Sequence, residues 1–134
     1  MGANSTMIGD VTAATTVALG ADPTVSGNVE SKSSSITVGV KGRVGGTIDA
    51  ATSVTLSAGS SSCGTVTAPT ATLGAGAFVE KNINVVTATL AADSYVIGIL
   101  SATTATLGAG ACYGSKGEEG ILTLTEGAGA GSCE

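Results

Sequence analysis

Few side chains in this 134-residue chain can do acid–base or covalent chemistry. There is no histidine, which removes an imidazole base, a His-ligated zinc and a Ser-His-Asp triad. The three cysteines, Cys63, Cys112 and Cys133, form no Cys-x-x-Cys pair, so a metal site is not expected. What recurs is the hydroxyl. Thr70-Ala71-Thr72, Thr87-Ala88-Thr89 and Thr104-Ala105-Thr106 follow one another at a constant step. Threonine hydroxyls donate and accept hydrogen bonds but catalyse little without a base. The expectation is a binding surface rather than an enzyme, with no cofactor.

Charge narrows the partners. Five Lys and Arg against ten Asp and Glu leave a net charge of −5, with no basic footprint for nucleic acid. The aromatics are Phe78, Tyr95 and Tyr113, too few for a base-stacking platform. No apolar run approaches the ~18 residues of a membrane span, so no membrane partner is expected. Met1 to Asp10 shows neither the charged nor the apolar region of a secretion leader. Export with the leader missing from this chain is the expectation for location.

The elements that must position the hydroxyls follow from the repeat. Ser53-Val54-Thr55-Leu56 stands the same step before Thr70. Ser35-Ile36-Thr37-Val38 and Thr16-Val17-Ala18-Leu19 precede it at slightly longer steps. After Thr104, Ile121-Leu122-Thr123-Leu124 stands one constant step on. Each unit alternates with period 2, the mark of a strand with one buried face.

Three apolar columns run through the repeat. One reads Leu19, Val38, Leu56, Leu73, Leu90, Leu107, Leu124; another Met7, Val25, Val44, Ser62, Val79, Val96, Tyr113; the third Val11, Val29, Ile48, Val66, Ile83, Leu100, Gly117. Corners recur near every six residues, as from Val38 to Val44 to Ala50 to Leu56. One such coil cannot bury its own apolar side, but stacked coils build a continuous core.

The predicted fold is all-β, a three-sided parallel β-helix (β-solenoid) of about 6–7 coils with 17–19 residues each. The spacing leaves its hand open. Residues 1–125 form the predicted solenoid domain, and 126–134 a Gly/Ala-rich tail or end cap. Gly39, Gly74 and Gly108 follow strands, where corners are expected to need positive φ. Cys63 and Cys112 fall three coils apart, roughly 14 Å, beyond the ~7 Å Cα limit of a disulfide. Cys112 and Cys133 belong to successive coils and could join; three free thiols are the alternative.

The outward side of the Leu column reads Thr16, Ser35, Ser53, Thr70, Thr87, Thr104, Ile121 in one rank and Ala18, Thr37, Thr55, Thr72, Thr89, Thr106, Thr123 in the other. No charge interrupts it. Neighbouring hydroxyls should lie roughly 6.7 Å apart along a strand and 4.8 Å between coils. Thr is a good strand former, and cross-strand Thr pairs contribute a few tenths of a kcal/mol each. A charge-free face of strand formers is nevertheless an aggregation hazard. The charges sit elsewhere: on a mixed face that reads as solvated, Asn28/Glu30, Thr47/Asp49, Thr65/Thr67, Asn82/Asn84, Ile99/Ser101 and Lys116/Glu118, and at corners carrying Lys41, Arg43, Glu80, Lys81 and Asp93.

Thr-Ala-Thr once per coil on a solenoid face resembles the β-helical ice-binding (antifreeze) proteins, including the insect types with Thr-x-Thr arrays. Thr-Leu-Gly-Ala-Gly with Val and Ile columns also looks like the coils of the large microbial ice-binding family. The resemblance covers about Thr16 to Thr123. It implies adsorption to an ice crystal surface through Thr37, Thr55, Thr72, Thr89, Thr106 and Thr123, with Ser35, Ser53, Thr70, Thr87 and Thr104 beside them. Methyl groups would hold an ordered water layer that hydroxyls anchor. The chain departs from the microbial family in having no pattern for a helix along the solenoid, and from the insect types in its few cysteines. A second resemblance is to the polymer-forming bactofilins, whose coil length and Val/Ile columns are similar and whose uncapped ends stack. The expected state is a monomer, with end-to-end stacking as the alternative.

Overall fold

The computed structural model describes residues 2–116, 123–129 and 131–132. The chain winds as a parallel β-solenoid of about six turns, with no helix among the described residues. A coil contributes up to three short strands. The second coil shows the pattern in Thr24–Val25, Val29–Ser31 and Ile36–Val38. Each strand pairs in parallel with its counterpart one coil away, for example Val25 with Val44, Val29 with Ile48 and Val38 with Leu56.

Three faces result. The first runs from Thr6–Met7 through Arg43–Val44 and Phe78–Val79 to Gly131–Ser132. The second runs from Val11–Ala13 to Ile83–Asn84. The third runs from Val17–Leu19 to Thr123–Glu126. The long strand Tyr95–Ser101 turns from the first face onto the second and joins them into one 13-stranded sheet; the third face is a separate 7-stranded sheet. Gly131–Ser132, within the Gly/Ala-rich segment, pairs with Cys112–Tyr113.

The alternation of the sequence becomes the core. Val38, Leu56 and Leu73 of one column, Val44, Val79 and Val96 of the next, and Ile48, Val66 and Ile83 of the third are fully buried. Burying such a side chain contributes about 1.5–3 kcal/mol relative to leaving it exposed. Ala71, Ala88 and Ala105, the other inward position of the third-face strands, are also at 0% exposure.

The corners correct one expectation. Positive φ does not fall at Gly39, Gly74 and Gly108. It falls two residues later, at Lys41 (57°), Gly76 (68°) and Gly110 (73°), and at Asp22 (53°) and Asp93 (58°) in other coils. These left-handed residues stack into a ladder: Asp22 N–H donates to Val40 O at 2.8 Å, and Asp93 N–H to Ala109 O at 2.9 Å. The earlier glycines answer a different need. A Cβ on Gly74 would lie 2.6 Å from Ala58 N and one on Gly108 2.8 Å from Ala92 N, while one on Gly39 would overlap Gly20 O. Only a bare Cα lets the backbone of the neighbouring coil approach this closely.

The last coil corrects another. Thr104 pairs with Thr123, where the repeat predicts Ile121; Thr106 pairs with Thr125 and Leu107 with Glu126. On the second face, Leu100 pairs with Lys116 rather than Gly117, because the ladder shifts between Val96 and Ile99. The slip on the third face is of two residues and preserves the strand alternation, so the sequence pattern did not expose it; the shift on the second face is of one residue. Gly117, Ile121 and Leu122 lie outside the described residues.

The mixed second face does more than meet solvent. Asn28 N–H donates to Asp10 Oδ1 (2.8 Å), Thr47 N–H to Asn28 Oδ1 (2.8 Å) and Ile99 N–H to Asn82 Oδ1 (2.9 Å), so side chains tie coil to coil. Cys112 is disulfide-bonded and Cys63 is a free, exposed thiol. Cys133, the partner weighed for Cys112, lies outside the described residues.

Candidate functional site

The third face carries the hydroxyl array. Its strands Ser53–Leu56, Thr70–Leu73, Thr87–Leu90 and Thr104–Leu107 have four residues each. The inner pair of each, such as Ala71 and Leu73, is buried, which forces the outer pair, such as Thr70 and Thr72, towards solvent. Pairing is continuous in register: Ser53–Thr70–Thr87–Thr104 forms one rank, and Thr55–Thr72–Thr89–Thr106 the other. Thr37 extends the second rank against Thr55, and Ile36 against Val54 sets Ser35 beside Ser53. Among the described residues, the one shift within a ladder falls on the other sheet. The third face therefore has no bulge across these coils.

Of the expected residues, Ser35, Thr37, Ser53, Thr55, Thr70, Thr72, Thr87, Thr89, Thr104 and Thr106 occupy these two ranks. Thr123 changes rank, standing beside Thr104, and its former place is taken by Thr125. The sequence carried a signal for Thr125, since Thr123-Leu124-Thr125 is itself a Thr-x-Thr unit.

The ranks are half-buried or exposed, with Thr89 and Thr106 the more open. Among the described residues, the ten Ser and Thr hydroxyls from Ser35 to Thr106 make no hydrogen bond within the protein. Thr16, at the start of the first rank, is different: its Oγ1 lies 2.9 Å from Ser34 Oγ of the next coil. Uncharged residues also border the array. Thr52, Pro69, Val86 and Thr103 precede the first rank and are exposed, Val86 at 56%. Ser57, Gly74, Ala91 and Gly108 follow the second. The result is a strip of methyls and unpartnered hydroxyls, repeated once per coil, with no ionisable group from Thr16 to Gly108 on either rank or border. Such a surface can bind through ordered water or apolar contact, and it holds no nucleophile–base pair.

Two of the three aromatics come together on the first face. Phe78 and Tyr95 stack on successive coils of the first face, centroids 5.1 Å and planes 4° apart, while Tyr113 points inward at 5% exposure. Among the described residues no group of three or more His, Cys, Asp or Glu converges as a metal site.

The molecule is thus a parallel β-solenoid with one face ranked by threonines. No protein-family model matches the chain, and neither the curated proteins nor the solved structures supply a match.

Proposed function

We propose that this chain is an ice-binding protein that adsorbs to the crystal through its third face. The observation that carries this reading is the double rank of hydroxyls, in unbroken register over successive coils and unpartnered within the protein. Parallel stacking repeats the rank at ~4.8 Å between coils and ~6.7 Å along a strand. A rigid two-dimensional repeat of methyls and hydroxyls can hold water in an ordered layer that merges with ice. Adsorbed protein then forces the crystal to grow between anchors with a curved front, which lowers the freezing point. Free charges would orient water differently, and the strip has none.

The test is a nanolitre osmometer with the purified chain, beside a recrystallisation assay. Ice binding requires a freezing–melting gap and faceted crystals, and both should fall in Thr72→Tyr and Thr89→Tyr while circular dichroism stays unchanged. Round crystals and no gap would end the reading.

A second reading, self-assembly resembling the bactofilins, has one observation in its favour. In the first coil, the strands Val11–Ala13 and Val17–Leu19 each have a neighbour on one side only. Open edges of this kind template pairing with another chain. Filaments in light scattering, without an ice effect, would favour it.

A further inference from the structure

The first face differs from the other two in being lopsided. Its outward residues form two ranks: Thr24, Arg43, Ser61, Phe78 and Tyr95 in one, and Ile8, Ser26, Gly45, Cys63, Glu80 and Ile97 in the other. The half before Ser61 carries the small residues Thr24, Ser26 and Gly45, and the half after it the large residues Phe78, Tyr95 and Ile97. Between Arg43 and Phe78 the surface dips into a depression of about 290 Å³, with Gly45 and Ser61 in its wall. Apolar groups stand open to solvent here: Ile97 is 56% exposed and Ile8 89%. The only charged outward residues in these ranks are Arg43 and Glu80. They lie one coil before and one coil after Ser61–Ser62. Among the described residues neither has an ion-pair partner within the chain.

We propose that this face is a two-fold interface between two copies of the chain, packed with solenoid axes antiparallel and the symmetry axis along the strand Ser61–Ser62. A two-fold contact must be self-complementary. Rotation about a strand direction keeps each rank in place, reverses the order of coils and turns the face over. It sets Ser26 against the partner's Ile97, Thr24 against the partner's Tyr95, and Ile8 against the partner's Gly114, which follows Ile97 by one coil, so large meets small at these three positions. It sets Arg43 opposite the partner's Phe78, with the partner's Glu80 one position away over Gly45, so that opposite charges meet diagonally across the interface. Both copies make the same contacts. The other two-fold arrangement, with parallel axes, exchanges the ranks at constant coil. It crowds Tyr95 against the partner's Ile97 and brings no opposite charges together. Size and charge therefore both select the antiparallel pairing.

Association is weak, because about seven coils at ~4.8 Å by three residues cover a few hundred Å², short of the ~800 Å² per partner of a stable complex. Covalent capture reads it directly, since Cys63 falls on the axis opposite the partner's Cys63. The intact protein is treated at high concentration with a short bis-maleimide, and covalent dimer is measured. Wild type should be captured and Cys63→Ser should not. Arg43→Glu and Glu80→Arg should each slow capture on the order of tenfold, and the double exchange should restore it. Added salt should slow the wild type. Unchanged capture in either single variant, or no recovery in the double, would overturn the proposal. So would equal capture through a cysteine on the second face, Thr67→Cys in a Cys63→Ser background, because that would be collision. End-to-end stacking keeps the Cys63 thiols far apart and predicts no capture, which also overturns it. The third face stays free in this dimer, so the outcome is independent of ice binding.

Discussion

Thr104 pairs with Thr123 rather than with position 121, so the last strand of the third face is displaced by two residues from the constant period of the three before it. Thr125 then completes the second rank. Adjacent Cα atoms in a parallel pair lie within the ~4.4–6.8 Å range of a disulfide. In a Cys63→Ser background, Thr104→Cys with Thr123→Cys should oxidise to an internal bridge, detected by mass spectrometry. Thr106→Cys with Thr123→Cys should not. The reverse result would return Thr123 to the second rank.

The proposed role depends on which face is changed. Thr89 and Thr67 are both exposed, Thr89 in the array and Thr67 on the second face. A single exposed lysine costs either strand within about 0.5 kcal/mol of stability. Thr89→Lys should nevertheless abolish most of the freezing–melting gap, and Thr67→Lys should leave it intact. Equal loss in both would mean that the array is not the ice-contacting surface.

Gly74 and Gly76 share one corner for opposite reasons. Gly74 has an ordinary φ but no room, since a Cβ would lie 2.6 Å from Ala58 N; Gly76 has φ +68° and open space. Gly76→Ala should cost about 1–2 kcal/mol, the penalty of a left-handed Cβ. Gly74→Ala must push two backbones apart and should cost more. Denaturant melts of the two variants rank them directly; a smaller loss for Gly74→Ala would contradict the close approach of the coils.

Ser62 interrupts a column whose neighbours in register are Val44 and Val79. It is fully buried, and its hydroxyl donates to Gly64 O at 3.2 Å. The coils on either side already accommodate valine at this position. Ser62→Val should stabilise the protein by about 1 kcal/mol through added apolar burial, read as a rise in Tm. Leu73→Ala, in the neighbouring column at 0% exposure, should instead cost about 2–5 kcal/mol by opening a cavity.

The coiled architecture, and the face on which the residues of the regular coils lie, follow from the residue pattern. A near-constant coil length and a strict period of 2 constrain each other. Once Leu56, Leu73 and Leu90 must stack inward, Thr55, Thr72 and Thr89 have nowhere to point but out. The same spacing placed Phe78 and Tyr95 on successive coils, although their stacking is visible only once the register is laid out. Other details arise from the stacking of coils, to which alternation is blind. The slip at Thr123 is silent because moving by two residues preserves every face. The need for glycine at positions 39, 74 and 108 arises from how closely one coil's backbone lies against the next, a distance that no single coil encodes. The bonds that Asp10, Asn28 and Asn82 accept from the following coil likewise exist only after stacking, which is why Asn28 and Asn82, solvated in a one-dimensional reading, prove to be ties between coils in three.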